Sequence, residues 1–305
     1  MKIAFAGTPD FAATILRGLV SSPHDVGLVI SQPDPRRGRG RKPTQTPVAE
    51  VARSHDLDLR QPARISELGD ELSHYDSLVV AAYGQILRPD TLYAAKEGAW
   101  NVHASLLPKY RGAAPVERAI INGETETGVT IMRMDEGLDT GPVALQRSTT
   151  IPPEMTGGEL AKLLADIGAE AIVESLISLE AHDLTLVEQD SLYATYASKV
   201  TDEDKVIKWK GSAREVHDLV RALAPHIGAR SFHPDFDGPI KIWRSRIRHE
   251  AIMSPEIGCI KAENGCIVVN CGTGTLEVLE LQIPGGRRLS ARDFLLGNSL
   301  EGAFR

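Results

Sequence analysis

The feature that most restricts how this chain can fold is an alternation in its N-terminal part, where strand-length apolar runs are separated by stretches of helical period. Lys2–Ala6, Val26–Ser31, Leu78–Ala82, Ala99–His103 and Val129–Met134 are the apolar runs. Between the first two, Pro9 can open a helix that carries Phe11, Ile15, Leu16 and Leu19 on one side. Thr46-Pro47 can start another with Val48, Val51 and Ala52 inward. A strand that is apolar throughout has to be covered on both faces, and intervening helices supply that cover. The expectation is therefore an α/β domain with a parallel-rich sheet. Thr156 with Glu159 forms a capping box for a further helix bearing Leu160, Leu163, Leu164, Ile167, Ile172 and Leu176.

The pattern changes after Leu184. Residues 182–204 show no clear period and end in the charged run Thr201-Asp202-Glu203-Asp204-Lys205. A second capping box, Ser212 with Glu215, precedes a helix with Val216, Leu219, Val220 and Leu223 inward. Short strands dominate from there: Pro239–Ile247, Gly258–Lys261, Cys266–Val269 and Thr275–Leu281. Asn264-Gly265 is a hairpin turn signal, and Gly272-Thr273-Gly274 marks another turn. Such closely spaced short strands predict a small antiparallel β-barrel of OB-like form. The division expected is a domain over 1–183, a linker over 184–204 and a β domain over 205–305.

Composition narrows the class. Of 305 residues, 42% are hydrophobic and 25% charged, as in ordinary globular chains. No apolar run approaches the roughly 20 residues of a membrane span. The start, Met1-Lys2-Ile3-Ala4-Phe5, enters a strand directly without a cleavable signal pattern, so a cytoplasmic location is expected. Cys259, Cys266 and Cys271 lack metal-ligand spacing and read as buried thiols. The net charge of −7 is unevenly spread. From Lys205 onward there are 15 Lys and Arg against 11 Asp and Glu, so the acidic excess lies in the first part. That acidic part still holds one basic knot: Arg36, Arg37, Arg39, Arg41 and Lys42, with Gly38 and Gly40 among them. The asymmetry suggests a polyanion that touches the C-terminal part and this one loop.

Two glycine-punctuated stretches carry the residues most suited to chemistry. Asn101-Val102-His103 would place an amide and an imidazole on one strand face. Asp139, between Gly137 and Gly141, sits where flanking glycines let the backbone bend and aim a carboxylate at that imidazole. An oxyanion donor, a proton carrier and a group that orients the carrier are what acyl transfer to an amine requires. Other readings do worse. Gly7-Thr8-Pro9-Asp10 lacks the glycines of a dinucleotide fingerprint, and neither a phosphate loop nor GxSxG occurs. Ser105, Leu106, Leu107 and Pro108 suggest a rigid apolar rim whose free backbone groups could meet an aromatic ligand. Gln85, Ile86 and Leu87 lie in a loop at a strand's C-terminal end, where open α/β sheets bind ligands. On the strand Pro239–Ile247 and just beyond it, Arg244, Arg246 and Arg248 alternate with Trp243, Ser245 and Ile247, so three guanidiniums share a face suited to RNA.

These motifs together resemble the methionyl-tRNA formyltransferase family. The likeness rests on Phe5–Phe11, Ser31–Asp34, Ala82–Leu87, Asn101–Gly112, Gly128–Met132, Met134–Pro142, Tyr196–Val200, Leu281–Gly285 and Phe294–Gly297. It implies a Rossmann-like formyltransferase domain and a C-terminal OB-like tRNA-binding domain. The implied reaction moves a formyl group from the co-substrate 10-formyltetrahydrofolate to the α-amine of initiator methionyl-tRNA, with no metal, no membrane and no obligate protein partner. Asn101, His103 and Asp139 would be catalytic. Ser105–Pro108 and Gln85–Leu87 would lie at the folate, and the loop Asp34–Lys42, with Arg36, Arg37, Arg39, Arg41 and Lys42, would approach the tRNA acceptor end. The rivals are a formyltransferase for glycinamide ribonucleotide or a sugar nucleotide, and a noncatalytic RNA-binding module. The glycinamide ribonucleotide enzyme usually has a glycine-rich first loop, which Gly7-Thr8-Pro9 lacks; a sugar-modifying enzyme would not need the Arg36–Lys42 loop, and a binder has no use for all three of Asn101, His103 and Asp139.

Overall fold

The computed structural model describes residues 1–37, 42–253 and 256–305. They form two compact units: Met1–Pro115, Glu126–Thr149 and Ala161–Ala197 in the first, and Val116–Thr125, Thr150–Leu160 and Ser198–Arg305 in the second.

The first unit is built on a seven-stranded sheet. In spatial order its strands are Leu59–Arg60, Asp25–Ile30, Lys2–Gly7, Ser77–Ala81, Ala99–His103, Glu126–Arg133 and Val143–Thr150. The first five run parallel, as the alternation of strand and helix requires. Glu126–Arg133 pairs antiparallel with the His103 strand, so the sheet is parallel-rich rather than wholly parallel. Val143–Thr150 is a strand that hydrophobic patterning does not disclose, because its residues are exposed or half-buried throughout.

Helices cover the central strands. Asp10–Val20 turns its buried Ala12, Ala13, Ile15, Leu16 and Leu19 inward, and Pro47–Ser54 buries Val48, Ala49, Val51 and Ala52. Thr46 caps the latter by accepting the Ala49 N–H at 3.2 Å. Gly7 ends the first strand where a Cβ would lie 2.6 Å from that of Ala12 and 2.9 Å from the Ala81 carbonyl, so only glycine lets the strand turn into its helix there. Gly168 of the helix Gly157–Glu180 approaches the sheet so closely that a Cβ would stand 2.8 Å from Val102. Val102 thus faces this helix, and Asn101 and His103, one residue to either side, face the opposite way.

In the second unit six antiparallel strands form the small β domain that the hairpin signals call for. Asn264 and Gly265 both have positive φ, at 54° and 78°, which is the backbone of a two-residue hairpin turn. Trp209 stacks on Phe304 with ring centroids 5.3 Å apart, within a core that includes Ile240, Ile242, Ile267, Leu276 and Phe294. The helix Ala213–Ala222 begins at the expected capping box, with the Ser212 hydroxyl accepting the Glu215 N–H. It also buries polar groups that its apolar spacing did not announce: His217, Asp218 and Arg221. Of the three cysteines only Cys271 is buried; Cys259 and Cys266 are half-buried, at the sheet margin rather than in the core.

Candidate active site

The His103 ring is buried, 6% exposed, at the C-terminal end of its strand. Its Nε2 lies 2.9 Å from the Tyr110 carbonyl oxygen, which can only accept. Nε2 therefore carries hydrogen, and in the neutral ring Nδ1 keeps the lone pair. Nδ1 lies 3.7 Å from Oδ2 of Asp139. The Asn101 amide donates to Asp139 Oδ1 at 3.4 Å, and the Gly112 N–H donates to Oδ2 at 2.7 Å. Asn101, His103 and Asp139 meet in one place, with the carboxylate in the middle.

The loop that delivers Asp139 bends differently from the sequence expectation. Gly137 and Gly141 were expected to supply sharp backbone bends, yet neither has positive φ; the left-handed residue is Asp139 itself, at φ 52°. The glycines serve close approach instead. A Cβ at Gly141 would overlap the Arg133 carbonyl, and one at Gly137 would overlap the Thr140 hydroxyl. Asp is among the few L-residues that tolerate this conformation, at a cost of roughly 1 kcal/mol. Something has to hold it there.

Part of the hold comes from residues to which sequence reasoning assigned no role. The Gln189 side-chain N–H groups donate to the carbonyls of Asp139 at 2.9 Å and Gly141 at 2.7 Å. Its oxygen accepts from Nε and Nη2 of the buried Arg111, at 3.1 and 2.8 Å. Gln189 and Thr195 fall in the segment without period, and backbone pairing joins that segment to the same wall. Val143 and Val187 exchange both N–H···O bonds, and the Ala197 carbonyl accepts from Ala113 and Ala114. Gly112, at φ 116°, has no room for a Cβ, which would lie 2.9 Å from the Ala197 carbonyl. No periodicity marks such a segment, because it is held by backbone groups and not by an apolar face.

In Ser105–Pro108 the four carbonyls and the Leu107 N–H are engaged within the protein, not free as the sequence suggests. The Ser105 and Leu107 carbonyls accept from Thr130 Oγ1 and Gln146 Nε2, the Leu107 N–H donates to Thr130, and the Leu106 and Pro108 carbonyls accept from Lys109 and Thr195. A Leu107–Pro108 cis peptide lies in this turn. Ser105 and Leu107 are buried; Leu106 and Pro108 are half-buried. In the other expected loop, Gln85 receives the Ile65 N–H and donates to the Ala63 carbonyl and Gln32. With that loop stapled, Leu87 is buried and Ile86 stands 92% exposed. The Tyr83 hydroxyl is buried without a hydrogen-bond partner among the described residues, and burial pushes its pKa up to about 12.

The fold and these contacts can be set beside known proteins. The model described as "Formyl transferase" matches residues 1–176, and "Formyl transferase, C-terminal domain" matches 199–299. A methionyl-tRNA formyltransferase of Rubrobacter xylanophilus is 64% identical over 305 residues, the whole of both chains. The chain belongs to the methionyl-tRNA formyltransferase family. A second member, from Syntrophomonas wolfei, is 41% identical over 98% of this chain and 96% of its own. A solved N-formyltransferase of Helicobacter canadensis, in complex with folinic acid and dTDP-3-aminofucose, matches with a TM-score of 0.69 over 95% of this chain and all of its own. At 19% identity that likeness shows the shared fold alone.

The basic residues expected to meet tRNA are only partly in view. Arg36–Arg37 and Lys42–Pro43 form a two-residue antiparallel ladder, and Arg39 and Arg41 lie outside the described residues. The ladder's base is anchored through Asp34, whose Oδ1 accepts from Thr46 at 3.3 Å and Gln61 at 2.7 Å. Arg244, Arg246 and Arg248 are exposed on one side of their strand, as alternation requires. They are not bare cations. Arg246 and Arg248 share Glu277 at 2.6 and 2.7 Å, and Arg244 meets Glu280 at 3.2 Å, where Arg288 also converges. Four cations over two carboxylates keep a net positive face.

Proposed function

We propose that this chain moves the formyl group of 10-formyltetrahydrofolate onto the α-amine of methionine esterified to initiator tRNA, in the cytoplasm. The observation that carries the reading is the Asp139 carboxylate in contact with both Asn101 and the imidazole of His103.

In that role the neutral amine attacks the formyl carbon, and Asn101 directs an amide N–H at the oxygen as negative charge develops on it. His103 takes the amine's proton at Nδ1, since Nε2–H is committed to the Tyr110 carbonyl. Asp139 stabilises the resulting imidazolium, and Nδ1 then returns the proton to the departing folate nitrogen. A new C–N bond forms, the old one breaks, and the proton crosses from one nitrogen to the other. No further oxidant or reductant enters. Gln85, Ile86 and Leu87 with Ser105, Leu106, Leu107 and Pro108 would flank the folate, the exposed Ile86 offering an apolar face to its ring. The catalytic domain spans 1–183, joined by a linker over 184–204 to a tRNA-binding domain over 205–305. Arg36, Arg37, Arg39, Arg41 and Lys42 would contact acceptor-end phosphates, and Arg244, Arg246 and Arg248 the backbone farther along.

The test offers the protein 10-formyltetrahydrofolate with charged initiator tRNA, charged elongator methionyl-tRNA and glycinamide ribonucleotide, and identifies the formylated amine. Preference for initiator methionyl-tRNA is expected; formylation of the ribonucleotide in its place overturns the reading.

A further inference from the structure

The segment that locks the Asp139 loop has a second face. Its inner side chains are engaged: Gln189 holds the carbonyls of Asp139 and Gly141, and Thr195 Oγ1 accepts the N–H of Tyr110, whose carbonyl holds His103. Between these anchors the chain makes a short turn, Ser191–Tyr193, capped by Asp190, whose carboxylate accepts the Leu192 N–H at 2.9 Å. The turn and the residues after it point three large apolar side chains outward: Leu192 is 90% exposed, Tyr193 69% and Tyr196 67%. Nothing in the core explains two exposed aromatic rings three positions apart on a backbone so firmly held. The Arg111 N–H donates to the Thr195 carbonyl and the Ala197 N–H to that of Arg111, at 2.9 and 2.7 Å, and the Thr195 N–H donates to the Pro108 carbonyl at 3.3 Å. Lys109, next to Pro108, is exposed as well.

We propose that Tyr193 and Tyr196 form a stacking platform for the unpaired nucleobases at the 3′ end of the charged RNA. The inference rests on the acyl-transfer reading above and names the part of the acceptor that this surface takes. A phenol ring accepts any base on its face, binds without sequence preference and loses little freedom when its backbone is already fixed. An exposed lysine on the segment bonded to this one suits the phosphates between stacked bases. Continuity decides between occupants. The platform is covalently one segment with the residues that hold Asp139 and is one hydrogen bond from the carbonyl that holds His103. The folate is assigned to Ser105–Pro108 and Gln85–Leu87, so a base seated on these rings belongs to the other substrate, the molecule whose aminoacyl group reacts at Asn101, His103 and Asp139 and which alone of the two carries unpaired nucleobases.

The test measures KM and kcat of the full-length protein and of its Tyr193→Ala, Tyr196→Ala, Tyr193→Phe and Tyr196→Phe variants, with charged initiator tRNA and with methionine methyl ester as acceptors. Each alanine variant is expected to raise KM for charged tRNA by about fivefold to a hundredfold, the loss of one stacked base, with kcat at saturation far less affected. Each phenylalanine variant keeps the ring and should restore KM to within about threefold. Because the ester has no base, the rise for tRNA should greatly exceed any rise for the ester. Equal rises for both acceptors, or no rise for tRNA, overturn the proposal. So does a change in oligomeric state on alanine substitution without a change in KM, which assigns the rings to a second protein copy. If the unsubstituted protein formylates glycinamide ribonucleotide and not methionyl-tRNA, the activity reading itself fails, a result distinct from each of these.

Discussion

Replacing Asp139 with Asn removes the carboxylate's charge while keeping the loop's backbone and one acceptor oxygen. Asn tolerates the left-handed backbone at least as well as Asp, so the φ of 52° adds no strain, whereas Ala would add roughly 1 kcal/mol and confuse the result. The side chain keeps one oxygen, enough for the Gly112 N–H now held at 2.7 Å. What disappears is the attraction between a carboxylate and the imidazolium that His103 becomes when it takes the amine's proton, together with the second oxygen, which accepts from the Asn101 amide at 3.4 Å. At the observed 3.7 Å, an effective dielectric constant near 20 gives about 4 kcal/mol for that attraction. Asp139 is 14% exposed at its side chain, so water reduces it, and about 2–4 kcal/mol remains. Since this term enters at the transition state, kcat should fall by about 30- to 1,000-fold while KM for either substrate moves much less. Single-turnover formyl transfer over a range of enzyme concentrations measures it, with thermal melting to confirm the fold. A loss of kcat below about threefold in a fully folded variant would refute the idea that Asp139 stabilises a charged imidazole.

Other outcomes follow from the same geometry. Gln189→Ala should lower kcat by about tenfold by releasing the Asp139 loop. Gln189→Glu, which can still pair with Arg111 but turns a carboxylate toward the Asp139 and Gly141 carbonyls, should be no better; full activity in it would assign the hold on this loop elsewhere. Replacing Arg39 and Arg41 with Gln should weaken binding of charged tRNA and flatten its dependence on salt by about 1–2 units of logarithmic slope, read from a salt titration of affinity. Asp204 is held well below the usual carboxylate range by the Arg118 guanidinium at 2.7 Å and by the Thr201 N–H and hydroxyl. A depressed carboxyl contributes its stability in full above the ordinary value near about 4 and loses it as pH falls toward the folded value. Asp204→Asn should therefore cost about 1 kcal/mol at neutral pH and less in acid, and chemical denaturation at both pH values reads the difference.

Elements marked by local chemistry could be read from the sequence. Thr46 caps its helix and the Ser212–Glu215 box closes because both ends of each contact lie within three residues. Asn264-Gly265 forms its turn because φ must be positive at both positions. The Asn101 and His103 pair was legible for a similar reason, since strand alternation alone puts the two on one face. What escaped depends on partners distant in the chain. Gln189 matters only because the fold brings it to Asp139 and Arg111, 50 and 78 positions away. Val143–Thr150 is a strand with no buried face, so period-two patterning had nothing to mark. Gly137 and Gly141 signal a bend in the sequence, but closeness to Thr140 and to the Arg133 carbonyl is what requires them, and Asp139 takes the bend. The backbone of Ser105–Pro108 looked available because Thr130 and Gln146, which engage it, lie on two later strands.

If His103 carries the proton between the two nitrogens, its loss should show in the single-turnover rate of formyl transfer by His103→Ala on charged initiator tRNA, with tRNA affinity measured on the same sample. A rate at least about 100-fold lower with affinity nearly unchanged is the predicted result. A rate equal to that of the unsubstituted protein would contradict it.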